Sequence, residues 1–238
     1  MQTEPTIRNG RKLDTRNKLD TKKLVLLAML SAIAYVLASL IRIPLVPAVG
    51  FLGYEPKDVV LVIAGFLFGP LAPLIMAAVI ALLEGFTTSV MGPIGIPMNF
   101  ISSCAFACTA SLIYKMRHTI GGAAVGLVAA VIVTTAVMLL WNYTLTPILL
   151  GYPREVVVRM LIPGFLPFNL IKGTLNAALI MLLYKPIRVA LDKSRMLPIS
   201  SSDSGAAPSK RLNMGALLIS LFVLLTCVMV VLSYRGII

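Results

Sequence analysis

The sequence predicts an all-α integral membrane protein: a bundle of six transmembrane helices with one additional transmembrane helix at its C-terminal end. Three observations predict it. Of 238 residues, 58% are hydrophobic and only 13% charged, about half the roughly 25% charge of an average soluble domain. Apolar runs recur at about 24–41, 58–70, 71–90, 98–115, 120–141, 163–184 and 214–234, most of them close to the ~20 residues that a helix needs to cross a bilayer. The net charge is +12, and its Lys and Arg residues gather in the segments that flank those runs. That placement is the topology signal of a membrane protein and excludes nucleic acid as a partner.

Taken in order, residues 1–23 hold seven Lys and Arg among polar residues and read as a basic cytoplasmic leader with a short disordered start. The first apolar run is too long for a cleaved signal peptide, and no clear small-residue cleavage site follows it. The second and third runs are divided only by Gly69-Pro70-Leu71-Ala72-Pro73, which predicts a tight reversal because proline ends a helix and glycine permits the turn. Residues 24–190 make up the six-helix core. Residues 191–213, rich in Ser, Asp, Gly and Pro, predict a flexible cytoplasmic linker, and 214–238 an extra transmembrane helix without an internal charge.

Charge asymmetry orients the core. With the N-terminus in the cytoplasm, the inner side carries seven basic residues in the leader, two at Lys115 and Arg117, and six after the sixth run (Lys185, Arg188, Lys193, Arg195, Lys210, Arg211). The outer side carries Arg42, Lys57, Arg154, Arg159 and Arg235, which leaves Lys172 within the membrane. This imbalance predicts a multi-pass protein of the cell membrane with its N-terminus cytoplasmic.

The centre of the sequence is Pro167-Phe168-Asn169-Leu170-Ile171-Lys172-Gly173-Thr174-Leu175-Asn176, a polar insert in an apolar run. Asn169, Lys172 and Asn176 recur at i, i+3 and i+7, one stripe of a helix. A lysine at the centre of a membrane helix costs about 2.5–3.5 kcal/mol on insertion scales, so it is expected to face a polar cavity or a partner. The stated topology brings Glu55, Asp58, Glu84, Asn99, Asn142, Asn169 and Lys172 to the outer ends of their helices, where they describe a cup with Trp141, Tyr143, Phe165 and Phe168 in the same layer. Lys172 is expected about 10 Å below its helix start at the 1.5 Å rise of an α-helix. The candidate binding residues are Asn169, Lys172, Asn142, Glu84, Asn99, Trp141 and Phe168. Each has a structural alternative. Trp141 and Tyr143 suit an interfacial belt, Glu55 and Asp58 read as solvated or helix-capping acids, and Asn99 follows Pro97 at a helix start. A buried Glu84 requires a cation, for which Lys172 is the intramembrane choice.

In the first run, Ala28 and Ala32, and again Ala34 and Ala38, form small-xxx-small patterns that let another helix approach closely in lipid. Together with Tyr54-Glu55-Pro56-Lys57-Asp58-Val59, Gly65-Phe66-Leu67-Phe68-Gly69-Pro70, Trp141-Asn142-Tyr143 and the Pro167–Gly173 motif, they make the chain resemble the riboflavin-specific substrate-binding (S) subunits of energy-coupling factor (ECF) vitamin importers over about residues 22–190. The resemblance implies a six-helix S component that captures riboflavin from outside, and pairs with a transmembrane coupling subunit and two cytoplasmic ATPases. It further implies that Asn142, Asn169 and Lys172 contact the flavin and that Ala28 and Ala32 dock on the coupling subunit. The linker and seventh helix depart from that pattern. No cofactor is implied, since riboflavin enters as the transported ligand.

A flavin also fits the residue chemistry. Its flat apolar body suits Phe and Trp faces, and its pyrimidine-like edge of alternating donors and acceptors suits side-chain amides. One cation without an arginine cluster favours neutral riboflavin over a phosphorylated flavin. The sequence contains no G-x-x-x-x-G-K-[ST] phosphate loop, so energy from ATP would come from other subunits. Remaining readings are an S component for another vitamin, a proton-coupled carrier in which Glu84 titrates, and a structural membrane protein whose polar stripe pairs helices. An enzyme is not expected. Cys104 and Cys108 with the single distant His118 make neither a metal site nor a nucleophilic pair, and no disulfide framework is implied. Asn142-Tyr143-Thr144 matches a glycosylation sequon at a membrane boundary and carries no weight there.

Overall fold

The architecture comes from a computed structural model that describes residues 9–46, 52–88, 92–151, 153–193 and 214–234. The start of the leader, most of the predicted linker and the last four residues lie outside the described residues. Nine α-helices are seen among them: α1 (Asn9–Leu40), α2 (Lys57–Phe68), α3 (Leu71–Thr87), α4 (Gly95–Arg117), α5 (Ile120–Thr144), α6 (Thr146–Leu150), α7 (Arg154–Met160), α8 (Leu166–Lys193) and α9 (Met214–Tyr234). Two short strands, β1 (Ile43–Pro44) and β2 (Gly53–Tyr54), pair antiparallel between α1 and α2.

Four helical stretches, 21–40, 92–117, 120–144 and 154–184, are long and apolar enough to cross a membrane, whereas α3 and the apolar part of α9 are shorter. Helix α2 has only 12 residues, about 18 Å of rise against a hydrocarbon core of about 30 Å. It is not a lipid-facing span of its own. Val59, Leu61, Val62, Ile63, Ala64 and Phe66 are all buried, because α1, α3, α4 and α8 surround it. On the outer helices the pattern inverts, with Phe86, Ile132 and Leu140 exposed. Large apolar side chains turned outward suit lipid.

The reversal predicted at Gly69-Pro70 is present: Gly69 has φ +90°, a conformation open to glycine, and its N–H donates to the Gly65 carbonyl at 2.9 Å. At the α4–α5 turn His118 is left-handed (φ 45°), and Thr119 caps α5 by accepting from the Gly122 N–H at 2.9 Å. Helix α7 runs into α8 through a π-helical turn, Leu161–Phe165. Pro163 lies within it and has no N–H to donate, so the ladder widens by one residue there. The helix is therefore already formed at Arg154, well before the apolar run at 163.

Two ends of the bundle differ. At the end of α2, Phe66 stacks on Tyr114 (4.3 Å between ring centroids), and the Tyr114 and Tyr184 hydroxyls are 2.6 Å apart. The end formed by the start of α2, α4 and α8 and the close of α3 and α5 holds the polar groups.

Helices α4 and α5 pack closely at Gly126, where an added Cβ would stand 2.9 Å from the Ala110 carbonyl oxygen. Backbone cannot yield as a side chain does. Gly126→Ala is expected to destabilise the bundle by about 1–3 kcal/mol through overpacking, read as a lower melting temperature of the detergent-solubilised protein.

Candidate functional site

At the polar end a cleft with about 540 Å³ of unfilled space, part of it open to solvent at the mouth, is lined by the β1–β2 hairpin and by α4, α5 and α8. Asn99, Asn142, Phe168, Asn169 and Lys172 converge on it from three helices. Glu84 and Trp141 are not among its lining residues. The sequence did not single out Leu52, Met98, Ser102 or Met138, which supply further wall, nor Arg42, which it placed simply as a flanking charge.

The amides are positioned by their own helices. Asn142 donates to the Met138 carbonyl at 2.7 Å and accepts from Thr146 at 2.9 Å, which ties the end of α5 to the start of α6. Asn169 donates to the carbonyl of Phe165 at 2.8 Å. That carbonyl closes the π-helical turn, so the Pro163 irregularity sets where Asn169 stands; such turns recur at functional sites.

Behind the lining lies a charged network. Lys57, 2% exposed, pairs with Glu55 at 2.8 Å and with Glu84. Asn99 donates to the same Glu84 oxygen at 3.2 Å. Arg42 lies 3.7 Å from Glu55 and donates to the Thr88 carbonyl at 3.4 Å. A second group forms at Asp58, 1% exposed: Lys172 Nζ is 3.4 Å away, Ser103 donates at 2.6 Å and Asn176 at 3.5 Å. Asn176 accepts in turn from the Tyr54 hydroxyl at 3.0 Å. Burial, and then the neighbouring Asp58 charge, push that hydroxyl well above the usual tyrosine range, so it stays a donor.

Two expectations are corrected here. Glu55 and Asp58 are buried ion-pair members, not solvated caps, because the hairpin and α8 cover the start of α2. Glu84 does require a cation, but its partner is Lys57 instead of Lys172, since α3 lies against α2 and Lys57 is the nearer amine. Among the described residues no cluster of three or more potential metal ligands exists.

An apolar helical bundle with an amide- and amine-lined cleft at its polar end has the form of a membrane protein able to hold a small polar molecule. The chain belongs to the family of ECF transporter substrate-specific components, whose model matches residues 22–184. This makes it a multi-pass membrane protein of a transport system, and not an enzyme. Similar proteins include the riboflavin transporter RibU of Staphylococcus aureus (strain TCH60), 35% identical over 183 residues, covering 74% of this chain and 95% of that one. The riboflavin transporter FmnP of Bacillus subtilis (strain 168) is 29% identical over 188 residues, covering 74% and 97%. A solved S component of a bacterial ECF transporter superposes with a TM-score of 0.62 at 35% identity, covering 72% of this chain and 98% of that one.

Removing one partner of a buried pair leaves an uncompensated charge, so Lys57→Met is expected to destabilise the fold by about 3–5 kcal/mol. Lys57→Met combined with Glu84→Gln should recover part of that loss. Thermal unfolding of the two variants in one detergent checks the order.

Proposed function

We propose that this chain is the riboflavin-capturing S subunit of an ECF importer, taking the vitamin from outside the cell and delivering it across the membrane with a coupling subunit and two cytoplasmic ATPases. The observation that carries this reading is the convergence of Asn142, Asn169 and Lys172 on one cleft in a chain of this family. In this reading the isoalloxazine lies against Phe168, Met98 and Leu52. Its pyrimidine-like edge meets the amides of Asn99, Asn142 and Asn169, and Lys172 donates to a ring nitrogen or carbonyl. Both cations at the cleft already face carboxylates, Arg42 with Glu55 and Lys172 with Asp58. A site so compensated favours neutral riboflavin over its phosphate.

The cleft then opens outward, the N-terminus is cytoplasmic, and the family core comprises six membrane helices with α9 as a seventh, appended one. Docking on the coupling subunit falls to α1, where Ala28 and Ala32 are exposed on one face. Two small residues one turn apart allow a close helix approach.

The test is a titration of riboflavin fluorescence with purified protein. Saturable quenching is expected for the wild type. Lys172→Met and Asn169→Ala should each weaken binding by roughly 10-fold or more, the scale of losing a hydrogen bond to a charged or buried group. Wild-type affinity in both variants would remove the site. Ala28→Leu and Ala32→Leu should abolish riboflavin uptake by cells while leaving the affinity of the isolated protein unchanged; uptake equal to wild type would remove the docking role.

A further inference from the structure

We propose that Asp58 is a positioning residue for ligand capture: its carboxylate holds the Lys172 ammonium at the cleft wall without touching the ligand. This rests on the reading that Lys172 holds riboflavin. Asp58 is 1% exposed and is not among the lining residues, whereas Lys172 is. The lysine side chain keeps 13% of its surface exposed and so stands between the carboxylate and the open cleft.

The geometry separates this pair from a helix-pairing salt bridge. The Lys172–Asp58 distance of 3.4 Å is longer than the roughly 2.7–2.9 Å of a tight charge-assisted hydrogen bond. An ammonium has three donors, so a loosely held amine retains donors for a ligand. Asp58 itself is fixed from other sides. One oxygen accepts from Ser103 on α4 at 2.6 Å, and the other accepts from Asn176 on α8 at 3.5 Å. Asn176 is held in turn by Tyr54, the neighbour of cleft-lining Gly53. The carboxylate is thus anchored by the short Ser103 bond from α4, with Asn176 of α8 standing farther off, and the lysine is the member of the pair that reaches the cleft. Without the carboxylate, the flexible four-carbon stem has no charge to point it at the cleft, and the amine is left half-desolvated.

A double-mutant cycle read by riboflavin titration decides the question, with full-length protein in detergent. Asp58→Asn should weaken riboflavin binding by about 10-fold, within the usual coupling of residues in contact. Asp58→Glu, which keeps the charge, should recover most of that loss. In a Lys172→Met background, Asp58→Asn should cause no further loss beyond about 2-fold, because the effect passes through the lysine. Removing both partners leaves no unpaired charge, so the double variant should fold even where Asp58→Asn alone does not; in that case its affinity against Lys172→Met, together with that of Asp58→Glu, gives the answer. The proposal is overturned if Asp58→Asn binds like wild type, or if the double variant binds about 10-fold more weakly than Lys172→Met, which is the additive behaviour of a merely structural residue. Wild-type protein that does not bind riboflavin overturns the functional reading itself and this proposal with it; binding by wild type with additive losses overturns the role of Asp58 alone.

Discussion

The structure depends on how six charges are gathered at one end of an apolar bundle, four of them (Glu55, Lys57, Asp58 and Glu84) buried, with Lys172 half-buried and Arg42 exposed at the edge. Arg42, Lys57 and Lys172 meet Glu55, Glu84 and Asp58 in pairs that leave no excess of either sign. Each ion taken from water carries a penalty of several kcal/mol, repaid only where opposite charges and hydrogen bonds surround it. The pairs draw α1, α2, α3 and α8 to a common point. A cluster of this kind adds little net stability compared with apolar packing, but it permits few arrangements of the helices around it. The cleft is the space left beside that point.

Much of this was legible in the sequence, and the reasons for the remainder are physical. The spacing of Asn169, Lys172 and Asn176 gave a polar stripe, and the structure puts all three on the inner side of α8, two of them at Asp58. Helix boundaries at Gly69 and around His118 followed from local backbone chemistry, which acts within a few residues. Lys57 was misread because a charge at the edge of an apolar run normally reaches water. The overlooked signal was length: the run after it is too short to span lipid alone, so its charged start had to be covered by protein. Strands β1 and β2, two residues each, depend on pairing across the intervening loop and left no periodic trace. Nor did the π-helical turn, whose single cause is Pro163 inside an otherwise unremarkable apolar stretch.

The bundle is also asymmetric in a way that bears on transport. Its polar end contains the cleft, whereas its other end is filled by Phe66, Tyr114 and Tyr184 in mutual contact. Aromatic rings in edge and stacked packing fill that end with apolar surface. The described cleft is at the polar end. Passage to the other side requires the bundle as a whole, or its relation to the membrane, to change. That requirement is consistent with a protein that binds by itself and moves its cargo only with energised partners.

Helix α9 lies beyond the residues that match the family, yet it is not a loose tether. Cys227 is buried, and Val223 and Val231 pack into the same apolar cluster as Leu52, Phe165 and Phe168. Leu52 and Phe168 are walls of the cleft, and Phe165 carries the carbonyl that positions Asn169. In lipid, helices associate through close van der Waals fit, since hydrocarbon tails solvate leucine as well as a neighbouring helix does. Helix α9 fits against α8 beside the segment where the π-helical turn departs from regular geometry. Two walls of the cleft, Leu52 and Phe168, share that apolar cluster with α9.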